Sequence, residues 1–147
     1  MFVDVKKLND NAIIPTQGHP GDAGYDLYAC ISEPVTIKAG ETVKIPTGLS
    51  IAIPDGYFGG IFARSGLATK QGLRPANCVG VCDASYRGEY VVALHNDSSE
   101  DRVVNPEDRI AQLIIVPFLH ANFVEVNELC DTERGFGGFG STGRGKE

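Results

Sequence analysis

The chain has 147 residues, 42% of them hydrophobic, and a formal net charge of −6. That length suits one domain with a core of its own and not two. An acidic chain without a long basic run is a poor candidate for gripping a DNA or RNA backbone, which depends on neutralising phosphates, although a few converging arginines still suit a small anionic ligand.

Residues 1–7 show no basic segment leading into an apolar stretch, so no signal peptide is expected. The apolar run at 113–119 is far too short to span a bilayer. A soluble, cytoplasmic protein without membrane contact is the expectation. Short β-like runs then recur at 35–38, 42–45, 49–53, 57–62, 89–95, 109–116 and 123–126. Gly and Pro punctuate them, as in Pro54-Asp55-Gly56, and supply the backbone angles of tight turns. Many short strands at close spacing predict a sandwich or barrel. Only residues 65–71 look helical, and no βαβ alternation supports a Rossmann-type sheet. Cys30, Cys78, Cys82 and Cys130 lack the companion ligands of a zinc site and read as small, reduced hydrophobes. His19, His95 and His120 read as incidental.

Residues 134–145 are Gly-rich, with Phe136 and Phe139 between the glycines. This segment has too little apolar surface to fold alone. It reads either as a disordered tail or as an arm that orders over a ligand.

Four stretches could carry chemistry. Gly140-Ser141-Thr142-Gly143-Arg144-Gly145-Lys146 has P-loop spacing, but Glu147 stands where Ser or Thr is needed and no helix follows, so that reading is rejected. Arg64-Ser65-Gly66 places a guanidinium, a hydroxyl and a Gly amide between a strand and a short helix, which suits phosphate. Asp83-Ala84-Ser85-Tyr86-Arg87-Gly88-Glu89 reads as a hairpin tip between two apolar strands. Its Asp could serve as a general base for water, or it is simply a polar turn. Asp22-Ala23-Gly24-Tyr25-Asp26-Leu27 offers two carboxylates that could reach Mg²⁺ through water, or could serve turn chemistry and a buried hydrogen bond.

Together and in this order these elements resemble the five motifs of the trimeric dUTPases. The first is Asp22 to Leu27, and the second is Ala63-Arg64-Ser65-Gly66-Leu67-Ala68. The third runs from Asn77 through Gly80-Val81-Cys82-Asp83 to Tyr86-Arg87-Gly88-Glu89. The fourth is Asp108-Arg109-Ile110-Ala111-Gln112-Leu113, and the fifth spans Arg134 to Gly143. Two departures are visible: Ala63 stands where the family usually has Pro, and Cys82 where it usually has an aliphatic residue. Both should alter packing and leave the chemistry intact, and Cys82 could sensitise the site to thiol reagents.

The resemblance implies an all-β, jelly-roll-like distorted barrel over residues 1–133. It implies a homotrimer with shared active sites and a C-terminal arm over 134–147 that closes on one of them. The hairpin, the phosphate cradle and the arm of one site would come from three different chains. It implies dUTP as substrate, Mg²⁺ as cofactor, and dUMP and pyrophosphate as products, which limits uracil in DNA and supplies dUMP for dTMP synthesis. In this reading Asp83 activates the attacking water, and Asp26 holds the metal through a coordinated water or supports Asp83. The main chain of Gly80, Val81, Cys82 and Asp83, facing Val91, reads uracil with help from Asn77. Tyr86 packs on the deoxyribose and Phe136 stacks on the base. Arg64, Ser65, Gly66 and Gln112 hold the phosphates, while Arg134, Gly137, Ser141 and Thr142 close over them. Arg109 is equally well read as structural. Two alternatives stand beside this one: a dCTP deaminase-like enzyme, which shares the fold and a similar Arg-Ser segment, and a non-catalytic dUTP sensor or partner-binding protein.

Overall fold

The computed structural model describes residues 1–77 and 79–138, which form eleven strands and one short helix. In chain order they are β1 (Asp4–Lys7), β2 (Tyr25–Tyr28), β3 (Val35–Ile37), β4 (Thr42–Pro46), β5 (Leu49–Ala52), β6 (Tyr57–Phe62), α1 (Ser65–Gln71), β7 (Leu73–Pro75), β8 (Gly80–Cys82), β9 (Val91–Asn96), β10 (Arg102–Val104) and β11 (Arg109–Pro117). The all-β expectation holds, and the helix falls where it was expected. That helix stops because Gly72 takes a left-handed conformation (φ 70°) and returns its amide to the carbonyls of Ala68 and Leu67.

All pairings are antiparallel. A four-stranded sheet runs β2-β11-β6-β8, a three-stranded one β4-β9-β7, and two ribbons join β1 to β5 and β3 to β10. Alternation along β9 shows why the sheets pack. Val92, Leu94 and Asn96 point inward, while Val91, Ala93 and His95 point outward. The inward side chains meet Leu27, Ile37, Ile45, Leu49, Ile51, Leu73 and Ile110 in one core. Full burial of such a side chain contributes roughly 1.5–3 kcal/mol. Asn96 is the buried polar exception and is satisfied. Its amide donates to the carbonyls of Ile37 (2.9 Å) and Glu100 (2.8 Å), and its oxygen accepts from the amide and hydroxyl of Ser98.

Two features of this architecture bear on the site. The register of β11 against β2 slips between Arg109 and Ala111, so Ile110 and Ala111 both face inward. That bulge brings Arg109 and Gln112 onto the same outward face, which strict alternation would forbid. The second feature corrects an expectation. The strands flanking Asp83 are not hairpin partners: β8 is the edge of the four-stranded sheet and β9 is the centre of the three-stranded one.

Residues 123–126 were read as a strand and form none. Phe123, Val124 and Val126 are exposed, and the segment pairs with no described strand. Among the described residues, strands end at Pro117 and no helix is long and apolar enough to cross a membrane.

Candidate functional site: a base slot and a phosphate cradle

Asp83 to Tyr90 fold into a braced loop. The Tyr86 amide donates to the Asp83 carbonyl (3.0 Å), and the Tyr86 hydroxyl donates to the Glu89 carbonyl (2.9 Å). Ser50 donates to the Arg87 carbonyl (2.8 Å), and the Glu89 carboxylate accepts the Gly48 amide (2.8 Å), tying the loop to the body. Beside it lies a cavity of about 580 Å³ lined by Asn77, Gly80, Val81, Asp83, Tyr86 and Val91, among others.

The edges of this cavity are open main chain. No described strand pairs with the outer edge of β8, and the pairing of β7 with β9 stops at Pro75↔Leu94, short of Val91. On the β9 side the Ala93 carbonyl already accepts the Ala76 amide (2.7 Å), and the unpaired main chain lies beyond it toward Val91. Asp83 and Val81 are exposed, while Cys82 points inward. Burial pushes the Cys82 thiol up, so it stays protonated, and a protonated, buried thiol is a poor nucleophile. The expected sensitivity to thiol reagents is therefore not supported.

The second cavity, of about 680 Å³, is built from side chains. It gathers Asp26 from β2, Arg64, Ser65, Gly66 and Lys70 around α1, and Arg109 and Gln112 from β11. Asp26, with its side chain only 13% exposed, holds both guanidinium groups: Arg64 Nε at 2.8 Å and Arg109 Nη1 at 3.2 Å. Arg64 also donates to the Arg109 carbonyl (3.2 Å). The Gln112 amide donates to the Ala63 carbonyl (2.8 Å), so the departure from Pro at 63 leaves that acceptor in place. Gly24 lies directly under the Gln112 side chain, where any Cβ would collide with it. Ser65 and Gly66 are exposed at the start of α1, which no side chain caps. The cradle is thus a fixed pair of guanidinium groups flanked by uncapped amides, a surface suited to phosphate.

The sequence-predicted residues fall into two groups that one chain does not unite. Asn77, Gly80, Val81, Cys82, Asp83, Tyr86 and Val91 line the first cavity. Asp26, Arg64, Ser65, Gly66 and Gln112 line the second, and the two share no lining residue. Arg109, left open in the sequence, faces the second cavity. Lys70 was missed there. Its signal was its position one helical turn beyond Gly66. Arg134 folds back onto the Gly137 carbonyl (2.8 Å) and Phe136 is fully exposed, so neither reaches a cavity. Ser141 and Thr142 lie outside the described residues, as does the rejected P-loop-like stretch.

A family model for dUTPase matches residues 10–143. A deoxyuridine 5'-triphosphate nucleotidohydrolase of Psychrobacter arcticus is 50% identical over 150 residues, covering 97% of each chain. The Staphylococcus bacteriophage 80alpha dUTPase, solved with dUPNHPP, aligns with a TM-score of 0.84 at 31% identity, covering 97% of this chain and 99% of that one. A dUTPase of S. aureus phage phi11, whose structure details the coordination of a structural Mg(II) ion, aligns at TM-score 0.78 and 28% identity over 87% of this chain and 98% of that one. The chain belongs to the dUTPase family, whose enzymes are dUTP diphosphatases.

Proposed function

We propose that this chain hydrolyses dUTP to dUMP and pyrophosphate by attack of water on the α-phosphorus. The observation that carries the reading is the open main-chain slot between β8 and Val91, with Asp83 on its wall. Uracil presents an acceptor at O4 and a donor at N3–H. Amides and carbonyls of Gly80 to Asp83 and of Val91 can match that pattern, and Asn77 adds one bond. Cytosine reverses both groups, and each mismatched buried polar atom costs roughly 1–3 kcal/mol. Tyr86, held by its bond to the Glu89 carbonyl, packs on the deoxyribose and leaves no room for a ribose 2′-OH.

Asp83 accepts the proton of the attacking water and fixes its approach opposite the leaving pyrophosphate. Arg64, Ser65, Gly66 and Gln112 bind the phosphates, with Arg109 and Lys70 adding positive charge. Arg134, Phe136, Gly137, Ser141 and Thr142 close over the bound nucleotide and exclude bulk water. Mg²⁺ fits this donor set through Asp26. A carboxylate has about four acceptor sites, and the two arginines use two of them, which leaves room for a metal-bound water. When bound, the ion supplies charge to offset the triphosphate oxygens.

The chain works as a homotrimer with shared sites. Supporting this, the two half-sites occupy separate cavities. In addition, Phe118, Leu119, Phe123, Val124, Val126 and Leu129 are each exposed along the chain beyond β11, apolar side chains that a neighbouring subunit could cover. The enzyme acts in the cytoplasm, limiting the dUTP open to incorporation into DNA and supplying dUMP for dTMP synthesis. The test is Mg²⁺-dependent pyrophosphate release from dUTP, dTTP, dCTP and UTP, with light scattering for the assembly. Release from dUTP alone by a trimer is expected. Binding of dUTP without release would replace the reading with that of a sensor, and ammonia release from dCTP with that of a deaminase.

A further inference from the structure

Tyr90 is the largest fully buried side chain, 1% exposed, and among the described residues its hydroxyl has no hydrogen-bond partner. Its main chain is pinned to the body. The Tyr90 amide donates to the Leu49 carbonyl (2.8 Å), and its carbonyl accepts from the Thr47 hydroxyl (2.6 Å) and amide (3.2 Å). From that fixed base the ring runs under the loop that carries Asp83. Its centroid lies 6.0 Å from that of Tyr86, with the planes at 48°. The hydroxyl ends in the notch over Gly59, where an added Cβ would come within 3.2 Å of it. Gly59 is the β6 residue that pairs with Cys82, the residue before Asp83. The Cys82 thiol and the Tyr90 hydroxyl raise or lower one another's ionisation, although no hydrogen bond joins them. Burial pushes both groups up, so the contact is uncharged at neutral pH.

A buried hydroxyl without a partner lowers stability, and Phe would fill the same space without that penalty. Retention of the hydroxyl therefore needs a reason other than packing. We propose that Tyr90 is a positioning residue that sets Asp83 and Tyr86 from beneath the loop, through the Cys82 thiol and the Tyr86 ring. This rests on the reading of Asp83 as the base and Tyr86 as the sugar platform. One rigid side chain then couples the group that attacks to the group that selects the sugar.

The test is steady-state dUTP hydrolysis and thermal melting of Tyr90→Phe, Cys82→Val, their double variant and Cys82→Ser. Tyr90→Phe should lower kcat by about fivefold with KM within about twofold, because misplacing a base affects turnover more than binding, and it should melt no lower than the parent. Cys82→Val should show the same loss, and the double variant should lose no more than either single, since all three remove one contact. Cys82→Ser, which keeps a polar atom for the hydroxyl to meet, should recover turnover. Parent-like kcat in Tyr90→Phe overturns the proposal, and so do losses that multiply in the double variant. Asp83→Asn, measured alongside, separates the two levels: full hydrolysis by that variant removes the base assignment itself, whatever Tyr90 does.

Discussion

The base slot and the phosphate cradle solve recognition in opposite ways. The slot is open main chain at the edge of β8 and the start of β9, so what it reads is set by where strands stop pairing. The cradle is mostly side chain, with Arg64 and Arg109 locked by a single carboxylate beside the amides at the start of α1. Selectivity through main chain survives substitution of the residues that supply it. Affinity through side chains does not.

The sharpest way to break that comparison is Asp83→Asn, because Asp83 is the slot residue proposed to act as the base. Its kcat in pyrophosphate release should fall about a thousandfold while dUTP still binds, within the range that general bases contribute. Next comes Arg64→Met, which removes a charged donor and leaves Asp26 with one guanidinium. A fall in kcat/KM of about a hundredfold is expected, from a charge-assisted contact contributing roughly 1.5–3 kcal/mol. Gly24→Ala tests the same cradle without touching a charge. The methyl would drive Gln112 off its bond to Ala63, and KM should rise about tenfold with little change in kcat. Lys70→Ala, at an exposed cation, should cost about twofold in kcat/KM, and added salt should erase the difference. The smallest effect sharpens the contrast most. Val81→Ala changes an exposed slot side chain and should leave the ratio of dUTP to dCTP turnover within about twofold, since hydrogen bonds of the main chain carry the discrimination. A large loss of selectivity there would place the reading in side chains after all.

The two regions also differed in how legible they were. The cradle could be read from residue types, because an Arg-Ser-Gly between strand and helix has a chemistry of its own. Even there, Arg109 stayed ambiguous, since only the bulge shows that it shares a face with Gln112. Lys70 was legible through the helix expected over 65–71, one turn beyond Gly66, and was overlooked. The slot could not be read locally. Residues 83–89 looked like the tip of a simple hairpin, and nothing in their periodicity says that the strands on either side belong to different sheets. Only the structure shows it. Short strands such as Asp4–Lys7, Leu73–Pro75 and Arg102–Val104 hold too few residues to display alternation. Residues 123–126 have β-favouring side chains and still form no strand, because pairing is a property of two segments.

The slip in β11 also constrains how this chain can vary. The strand lies between β2 and β6, but its pairing with β6 begins only at Gln112, so near position 110 it is held by β2 alone, across the slip. Deleting Ile110 or Ala111 would restore even alternation with Arg109 and Gln112 still outward, but one residue closer together along the strand. The slip thus sets a spacing, two inward residues between Arg109 and Gln112 where even alternation allows one, and a deletion here would change the reach between the two groups without changing their face.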